Sequence, residues 1–198
     1  AYGFGGIPDF SQAYKNMPDH KKIAREAEHC FNLTGVKGKS TTKGLENLMK
    51  IYRIAAKGTE LWGPTFFAPV LTMQKYFIDF NKDYPMYHVL LILTDGNIHD
   101  MRETIDLIVE CSFEPLSVII IGIGDDSDFA AMDILDADDV KLINGVGGPA
   151  QRDIVNFVMF NGVKRDYAQR AGIDIADVDI NDGEFGDMLS EEVLAEVP

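Results

Sequence analysis

The sequence predicts a three-layer α/β fold, in which helices cover both sides of a mostly parallel, doubly wound sheet of the Rossmann-like kind. Two apolar runs, residues 88–94 and 116–123, carry this prediction. Both runs are continuously apolar, as strands buried on both faces of a parallel sheet are. A helical pattern lies between them, so the three segments form a βαβ unit, whose crossover is expected to be right-handed.

The helix between the two long strands has signals at both ends. Asp100 is suited to cap it, and Glu103 lies three residues on, where it can complete a capping box. The apolar residues of 101–109 fall on one face. Pro115 forces the chain out of the helix before the second strand.

The other segments repeat this pattern. Helices are predicted over residues 42–57 and 69–80, and Pro69 is suited to a first turn. Short strands are predicted at residues 2–5, 30–33 and 140–143, and further helices at 128–135 and 151–160. In the helix over 42–57, the side chains predicted to face inward are Leu45, Leu48, Met49, Tyr52 and Ala56.

We expect residues 1–165 to form one domain. The acidic, glycine-punctuated segment 166–189 is predicted to be an insert or loop. Residues 190–198 are predicted to add a C-terminal helix to the same domain. Its cap is Ser190, and its buried side is Val193, Leu194 and Val197.

Charge narrows the range of partners. The chain carries 18 Lys or Arg and 32 Asp or Glu, a net charge of −14. We therefore expect no nucleic-acid partner. Residues 15–57 hold ten basic and four acidic residues, which either face anionic lipid or an acidic partner, or form solvated helix faces.

Two cysteines, Cys30 and Cys111, are too few for a zinc finger or a RING, and the four histidines lack ligand spacing. Buried thiols in a reducing compartment fit better. No apolar run is long enough to span a membrane, and no signal peptide opens the chain. A cytoplasmic protein is therefore expected.

Asp95 follows the first long strand directly and precedes Gly96. Ligands of open parallel sheets bind outside the carboxyl ends of the strands. A carboxylate at the exit of an apolar strand needs a hydrogen-bond donor or a metal ion. The alternative is that Asp95 only caps a turn, because Asp-Gly is a common turn pair.

Thr65 is a polar residue in the otherwise apolar, glycine- and proline-containing loop 61–69, which precedes a predicted helix. Its hydroxyl group either caps that helix or is a hard oxygen ligand for a divalent cation.

Several segments resemble, in order and spacing, the von Willebrand factor A (vWA) domain of the copine family. They include Leu-Trp-Gly-Pro-Thr at 61–65 and Leu-Thr-Asp-Gly at 93–96. The matching segments are residues 1–5, 61–65, 68–69, 91–96, 117–124, 152–158 and 193–198. The likeness covers nearly the whole chain apart from the acidic segment.

The resemblance implies a metal-ion-dependent adhesion site, in which three loops at the carboxyl edge of the sheet hold Mg²⁺ or Mn²⁺. The first loop carries Asp-x-Ser-x-Ser, the second a Thr and the third an Asp. Thr65 matches the second loop and Asp95 the third. A partner protein would bind through this cation.

The family also implies upstream C2 domains that bind membrane phospholipid when calcium rises. The whole protein would act in membrane-linked signalling or trafficking, and the cytoplasmic chain would be recruited to membranes.

One departure from the family pattern concerns the first loop, since Asp-x-Ser-x-Ser occurs nowhere in this sequence. The resemblance places that motif on a first strand and helix upstream of residue 1. In the sheet of the family, this first strand lies between the strand that ends near Gly5 and the strand that ends at Asp95. Five buried side chains at about 2 kcal/mol each would be lost, about the stability of a typical domain. We therefore expect the chain not to fold alone, and Mg²⁺ or Mn²⁺ binding to be weak or absent.

Two alternatives to a metal-dependent binding module stay open. One is a vWA scaffold that binds partners without metal, which the absent first loop favours. The other is an enzyme, but the phosphate-binding loop, the nucleophile elbow and the dinucleotide glycine motif are all missing. We therefore expect no enzymatic activity.

Overall fold

The computed structural model describes residues 1–8, 27–36, 38–96, 98–124, 129–137 and 140–198. The chain divides into two compact units, Ala1–Met73 and Gln74–Pro198. The boundary falls inside helix α2, Ala68–Asn81, which matches the helix predicted at 69–80.

The first unit contains two pairs of short antiparallel strands. Strand β1 pairs with β3, and β2 pairs with β4. The strands are β1 Tyr2–Gly3, β2 Gly6–Pro8, β3 Phe31–Asn32 and β4 Thr59–Leu61. A side chain at Gly3 would overlap the buried ring of Phe31, so the close approach of β1 and β3 requires glycine there.

Helix α1, Leu45–Gly58, occupies the segment predicted at 42–57, but the prediction of its inward face was wrong. No residue of α1 is buried, and Leu45 is 72% and Tyr52 53% exposed. Of the five side chains predicted to face inward, only Leu48 is half-buried, and the other half-buried side chains of α1 are Ile51 and Ala55. In the described part of this unit, two pairs of short strands offer the helix little apolar surface to cover.

The second unit is built on a parallel sheet in the order β5-β6-β7. Its strands are β5 His88–Thr94, β6 Leu116–Gly122 and β7 Val155–Met159. Its helices after α2 are α3 Met101–Cys111, α4 Ala130–Asp136, α5 Phe160–Ala171, a 3-10 turn at Ile175–Asp177, and α6 Gly183–Leu194. The predicted βαβ unit, β5-α3-β6, is confirmed.

Helices pack on both faces of this sheet at strand β7. Phe157 of β7 contacts the ring of Phe129, which precedes α4, at 5.7 Å between centroids. The next residue, Val158, belongs to an apolar cluster with Phe185 and Met188 of α6. Successive strand residues point to opposite faces, so α4 and α6 lie on opposite sides. The predicted α/β fold with three layers is confirmed.

Strand β5 differs from its prediction. Strand β6 is buried on both faces, as predicted, but Val89, Leu91 and Leu93 on one face of β5 are 50–52% exposed. Among the described residues β5 pairs only with β6, so its other edge has no strand partner. Half of the apolar run in β5 therefore faces open space, although the sequence looks like that of a strand covered on both sides.

The capping box of α3 was predicted incorrectly. Asp100 occupies the cap position, but its side chain makes no capping hydrogen bond to the backbone. It accepts a hydrogen bond from the hydroxyl of Thr104 at 3.3 Å instead. The helix still begins at Met101, since the Thr104 backbone N–H donates to the Asp100 carbonyl.

The predictions for residues 140–143 and 151–160 were also wrong. Residues 151–160 were predicted to be helical, yet Val155–Met159 is strand β7, paired with β6 along its whole length. Pairing with a buried parallel neighbour outweighs a helical pattern of only ten residues. Residues 140–143 form no strand and contribute one isolated bridge, between Ile143 and Pro149.

The acidic segment 166–189, predicted as an insert or loop, contains the end of α5, the 3-10 turn and the first half of α6. Helix α6 is capped by Asp182, whose carboxylate accepts from the Glu184 N–H at 2.8 Å, and not by Ser190. Leu194, predicted to be buried, is 55% exposed. The apolar residues that anchor this segment, such as Phe185, are few but large. The acidic composition of the segment therefore did not indicate that it contains buried helical residues.

Of the remaining predictions, the strands near residues 2–5 and 30–33 are present as β1 and β3. The helix predicted at 128–135 is α4, although residue 128 lies outside the described residues. No helix in the described ranges combines the length and the apolar character needed to cross a membrane.

Candidate metal site

Asp95 lies at the carboxyl end of β5, immediately after buried Thr94. Its side chain is exposed. Within the described part of the chain, no hydrogen bond or ion pair engages its carboxylate. The interpretation of Asp95 as a turn cap therefore finds no bond to support it among these residues, whereas an exposed anionic oxygen is available for a cation.

Backbone groups at the ends of β5 and β6 lie close to Asp95. The Ile123 N–H donates to the Thr94 carbonyl at 2.8 Å, which joins the exits of β5 and β6. A Cβ atom at Gly124 would lie 3.6 Å from the Asp95 carbonyl oxygen. Asn161, at the start of α5, donates its side-chain amide to the Gly124 carbonyl at 2.7 Å. The carboxyl edge of the sheet is thus a connected rim with Asp95 on it, as predicted.

Thr65 is half-buried in the loop between β4 and α2. Gly5 lies beneath this loop: a Cβ atom there would stand 3.5 Å from the Trp62 carbonyl oxygen and 3.9 Å from the Thr65 hydroxyl. Gly5 has φ +64°, a conformation that favours glycine. The Trp62 N–H donates to the Gly5 carbonyl at 3.0 Å, which fixes the start of the loop.

The end of the loop is fixed by aromatic packing. Phe67 is buried and meets the ring of Phe4 edge to face, with centroids 5.6 Å apart. The Phe67 carbonyl accepts the first helical hydrogen bonds of α2, from the N–H groups of Val70 and Leu71. Phe67 therefore occupies the cap position, and Thr65 lies two residues before it.

Thr65 and Asp95 belong to different units of the chain, and each unit is defined by its own contacts. That the two side chains meet at one cation stays a prediction. Their chemistry suits Mg²⁺ or Mn²⁺, since both offer hard oxygen atoms, but two ligands fill only part of an octahedral shell. Among the described residues there is no group of three or more His, Cys, Asp or Glu placed to hold a metal ion.

Sequence reasoning missed several neighbours of these two residues. Gly5 and Gly124 approach neighbouring residues closely, and the Asn161 side-chain amide donates to the Gly124 carbonyl. No sequence motif predicts these contacts. His29 was also missed: its ring lies 4.3 Å from that of Phe66, and its buried Nδ1 has no hydrogen-bond partner. The turn of Gly5 to positive φ leaves only one weak signal in the sequence, the glycine-rich run 3–6.

Both cysteines are free thiols, as predicted. Burial raises the pKa of Cys111 to about 11, and burial also raises the pKa of half-buried Cys30. Neither thiol therefore has the lowered pKa of a nucleophile.

Comparison with known proteins identifies relatives along the whole chain. The Copine family model matches residues 1–198. Copine-A from Dictyostelium discoideum is 35% identical over the whole chain, and the matched part is 28% of its own length. Protein BONZAI 1 from Arabidopsis thaliana is 38% identical over 83% of the chain and 26% of its own length. Nicotinic receptor-associated protein 1 from Caenorhabditis elegans is 35% identical over the whole chain and 28% of its own length. The chain thus spans 26–28% of these curated relatives.

Proposed function

Because the chain belongs to the copine family, we propose that it is a protein-binding module whose partner contact depends on a divalent cation held by Thr65 and Asp95. The observation that carries this proposal is the exposed carboxylate of Asp95 at the carboxyl edge of a parallel sheet, with no bonded partner among the described residues. Carboxylates in this position are placed to bind ligands rather than to support the fold.

The two residues have different tasks. Asp95 supplies the negative charge that attracts the cation, and Thr65 supplies a neutral oxygen from a loop fixed at both ends. A carboxylate of the partner completes the coordination shell of Mg²⁺ or Mn²⁺. With only these two ligands the cation binds weakly, and an Asp-x-Ser-x-Ser loop would strengthen it.

The name of one relative bears on the role in binding. One of them is named for its association with a nicotinic receptor. We propose that this chain likewise recruits protein partners and has no enzymatic activity. In the whole protein, calcium-dependent C2 domains would bring it from the cytoplasm to phospholipid membranes, where it would act in signalling or trafficking.

A second candidate function is a vWA scaffold that binds its partner without metal. The absence of a cluster of three metal-ligating side chains among the described residues favours it. The two functions differ in whether chelation of divalent cations changes partner binding.

Isothermal titration with Mg²⁺, on a purified chain whose fold is verified by circular dichroism, tests the proposal. We expect saturable binding to the purified chain, with affinity lowered at least about tenfold in Asp95→Asn, because the site loses its one charged ligand. Thr65→Val is expected to weaken binding less. The matched control is Asp83→Asn, since Asp83 is also exposed.

Binding of Mg²⁺ that is equal in the unmodified chain, Asp95→Asn and Asp83→Asn would overturn the metal site. If a capped Gly-Gly-Asp-Gly-Gly peptide then binds equally well in Mg²⁺ and in EDTA, the scaffold function stands in its place.

A further inference from the structure

Two large apolar side chains, four and three residues before Thr65 in the chain, are exposed. Leu61, the last residue of β4, is 81% exposed, and Trp62 is 54% exposed. Neither contributes to the core of the first unit. We call this pair the apolar rim. Apolar side chains that stay outside the core are available for contact with a partner.

The apolar rim is held in a fixed position. Leu61 lies opposite Gly6 in the β2–β4 pair, and the Trp62 N–H donates to the Gly5 carbonyl at 3.0 Å. The two side chains are therefore presented by hydrogen-bonded backbone on both sides of the strand end. A preformed contact of this kind loses less conformational entropy on binding than a mobile loop.

Charge indicates what sort of partner reaches this unit. Residues 1–73 contain ten Lys or Arg and six Asp or Glu, whereas residues 74–198 contain eight and 26. The first unit is thus cationic in a strongly acidic chain. An acidic partner is therefore attracted to the unit that carries Thr65 and the apolar rim.

We propose that the apolar rim binds a bulky aliphatic or aromatic side chain that lies next to the carboxylate of the partner. The partner is then an acidic segment with Leu, Ile or Phe beside its Asp or Glu. This inference rests on the proposed function, because the neighbouring carboxylate is the group that completes the cation at Thr65. The rim adds specificity to a site that would otherwise accept any carboxylate, and tryptophan is the side chain most often found at such anchor points.

Trp62 is the only tryptophan in the chain, so its fluorescence reports from the rim itself. The probes are two capped peptides, Ac-Gly-Gly-Leu-Asp-Gly-Gly-NH₂ and the same peptide with Ala in place of Leu, titrated in Mg²⁺. We expect the Leu peptide to shift the emission and to bind on the order of tenfold more tightly, the range that a few methylene groups give in an apolar contact.

In Leu61→Ala, which keeps the fluorophore and removes no buried side chain, the preference for Leu over Ala is expected to fall to about twofold or less. The matched control is Tyr76→Ala, because Tyr76 is 61% exposed but lies in the other unit. It is expected to keep the full preference.

Equal binding of the two peptides to the unmodified chain, or an undiminished preference in Leu61→Ala, overturns the rim. A preference that depends on Leu61 but persists unchanged in EDTA supports the rim and contradicts the metal-dependent function. Binding that requires Mg²⁺ but is equal for the two peptides supports the metal-dependent function and contradicts the rim.

Discussion

At the scale of single residues, the proposed function depends on Asp95 at the exit of β5 and on Thr65 in the loop before α2. Asp95 is the first charge after an apolar strand, and Thr65 is the polar residue of an apolar loop. The residues that support them were not predictable in this way. Gly5 acts through its positive φ and its close approach to the loop, which depend on the pairing of strands distant in sequence.

Asn156 is a residue whose importance only the structure reveals. Its buried side-chain amide donates to the carbonyls of Glu192 and Val193 at 2.8 and 3.2 Å, and so ties the end of α6 to β7. We expect Asn156→Ala to lower the free energy of unfolding by about 1–3 kcal/mol, since both carbonyls lose their donor. Urea denaturation measures this.

The control for Asn156 is Asn47→Ala. The Asn47 amide makes one exposed hydrogen bond, to the Lys43 carbonyl. This variant is expected to stay within about 0.5 kcal/mol of the unmodified chain. Similar losses in the two variants would show that the link to α6 contributes nothing.

Cys111 makes stability depend on pH. Burial raises its pKa from 9.0 to about 11, because the thiolate would lose its hydration. The neutral thiol therefore favours the folded state fully below about pH 9, and this contribution is lost as the pH rises towards 11. We expect the stability difference between the unmodified chain and Cys111→Val to change in favour of the variant between pH 8 and pH 10.5 in urea denaturation. A difference that is constant over this range would contradict the assignment.

At the scale of secondary structure elements, the long and continuous patterns predicted correctly. The short patterns were correct at β1, β3 and α4 but wrong at residues 140–143 and 151–160. Strands β5 and β6 and helices α2 and α3 are where the sequence placed them. Val155–Met159 has apolar residues that suit either a strand or a helix, and only its pairing with β6 decides between the two. The acidic composition of 174–187 likewise concealed that Phe185 is fully buried.

The two interpretations of α6 differ in which residue anchors it. The structure places Phe185 in contact with Phe160 and Tyr167, with centroids 5.8 and 5.6 Å away, and leaves Leu194 55% exposed. We expect Phe185→Ala to cost about 3–5 kcal/mol in thermal or urea unfolding. Leu194→Ala is expected to stay within about 0.5 kcal/mol. The opposite ranking would restore the helix as the sequence predicted it.

At the scale of the whole molecule, β5 is the least protected part of the parallel sheet. Its row of half-exposed side chains lies along an edge that has no strand partner among the described residues. Open apolar edges promote association between chains. We expect Leu91→Lys to reduce self-association of the purified chain, measured by light scattering across a concentration series.

The control for the strand edge is Ile134→Lys. Ile134 is 56% exposed, close to the 52% of Leu91, but it lies on helix α4. If both lysine variants reduce scattering equally, added charge and not the strand edge is the cause.

We propose that Thr65 and Asp95 hold one cation together, although they belong to different units. Trp62, the only tryptophan, lies three residues before Thr65, and paramagnetic Mn²⁺ quenches the emission of a nearby indole. We predict saturable quenching of Trp62 by Mn²⁺, reversed by excess Mg²⁺, with the affinity lowered at least about tenfold in Asp95→Asn. Quenching that is identical in Asp95→Asn, or Mn²⁺ binding that depends on Asp95 but leaves Trp62 emission unchanged, would contradict a shared site.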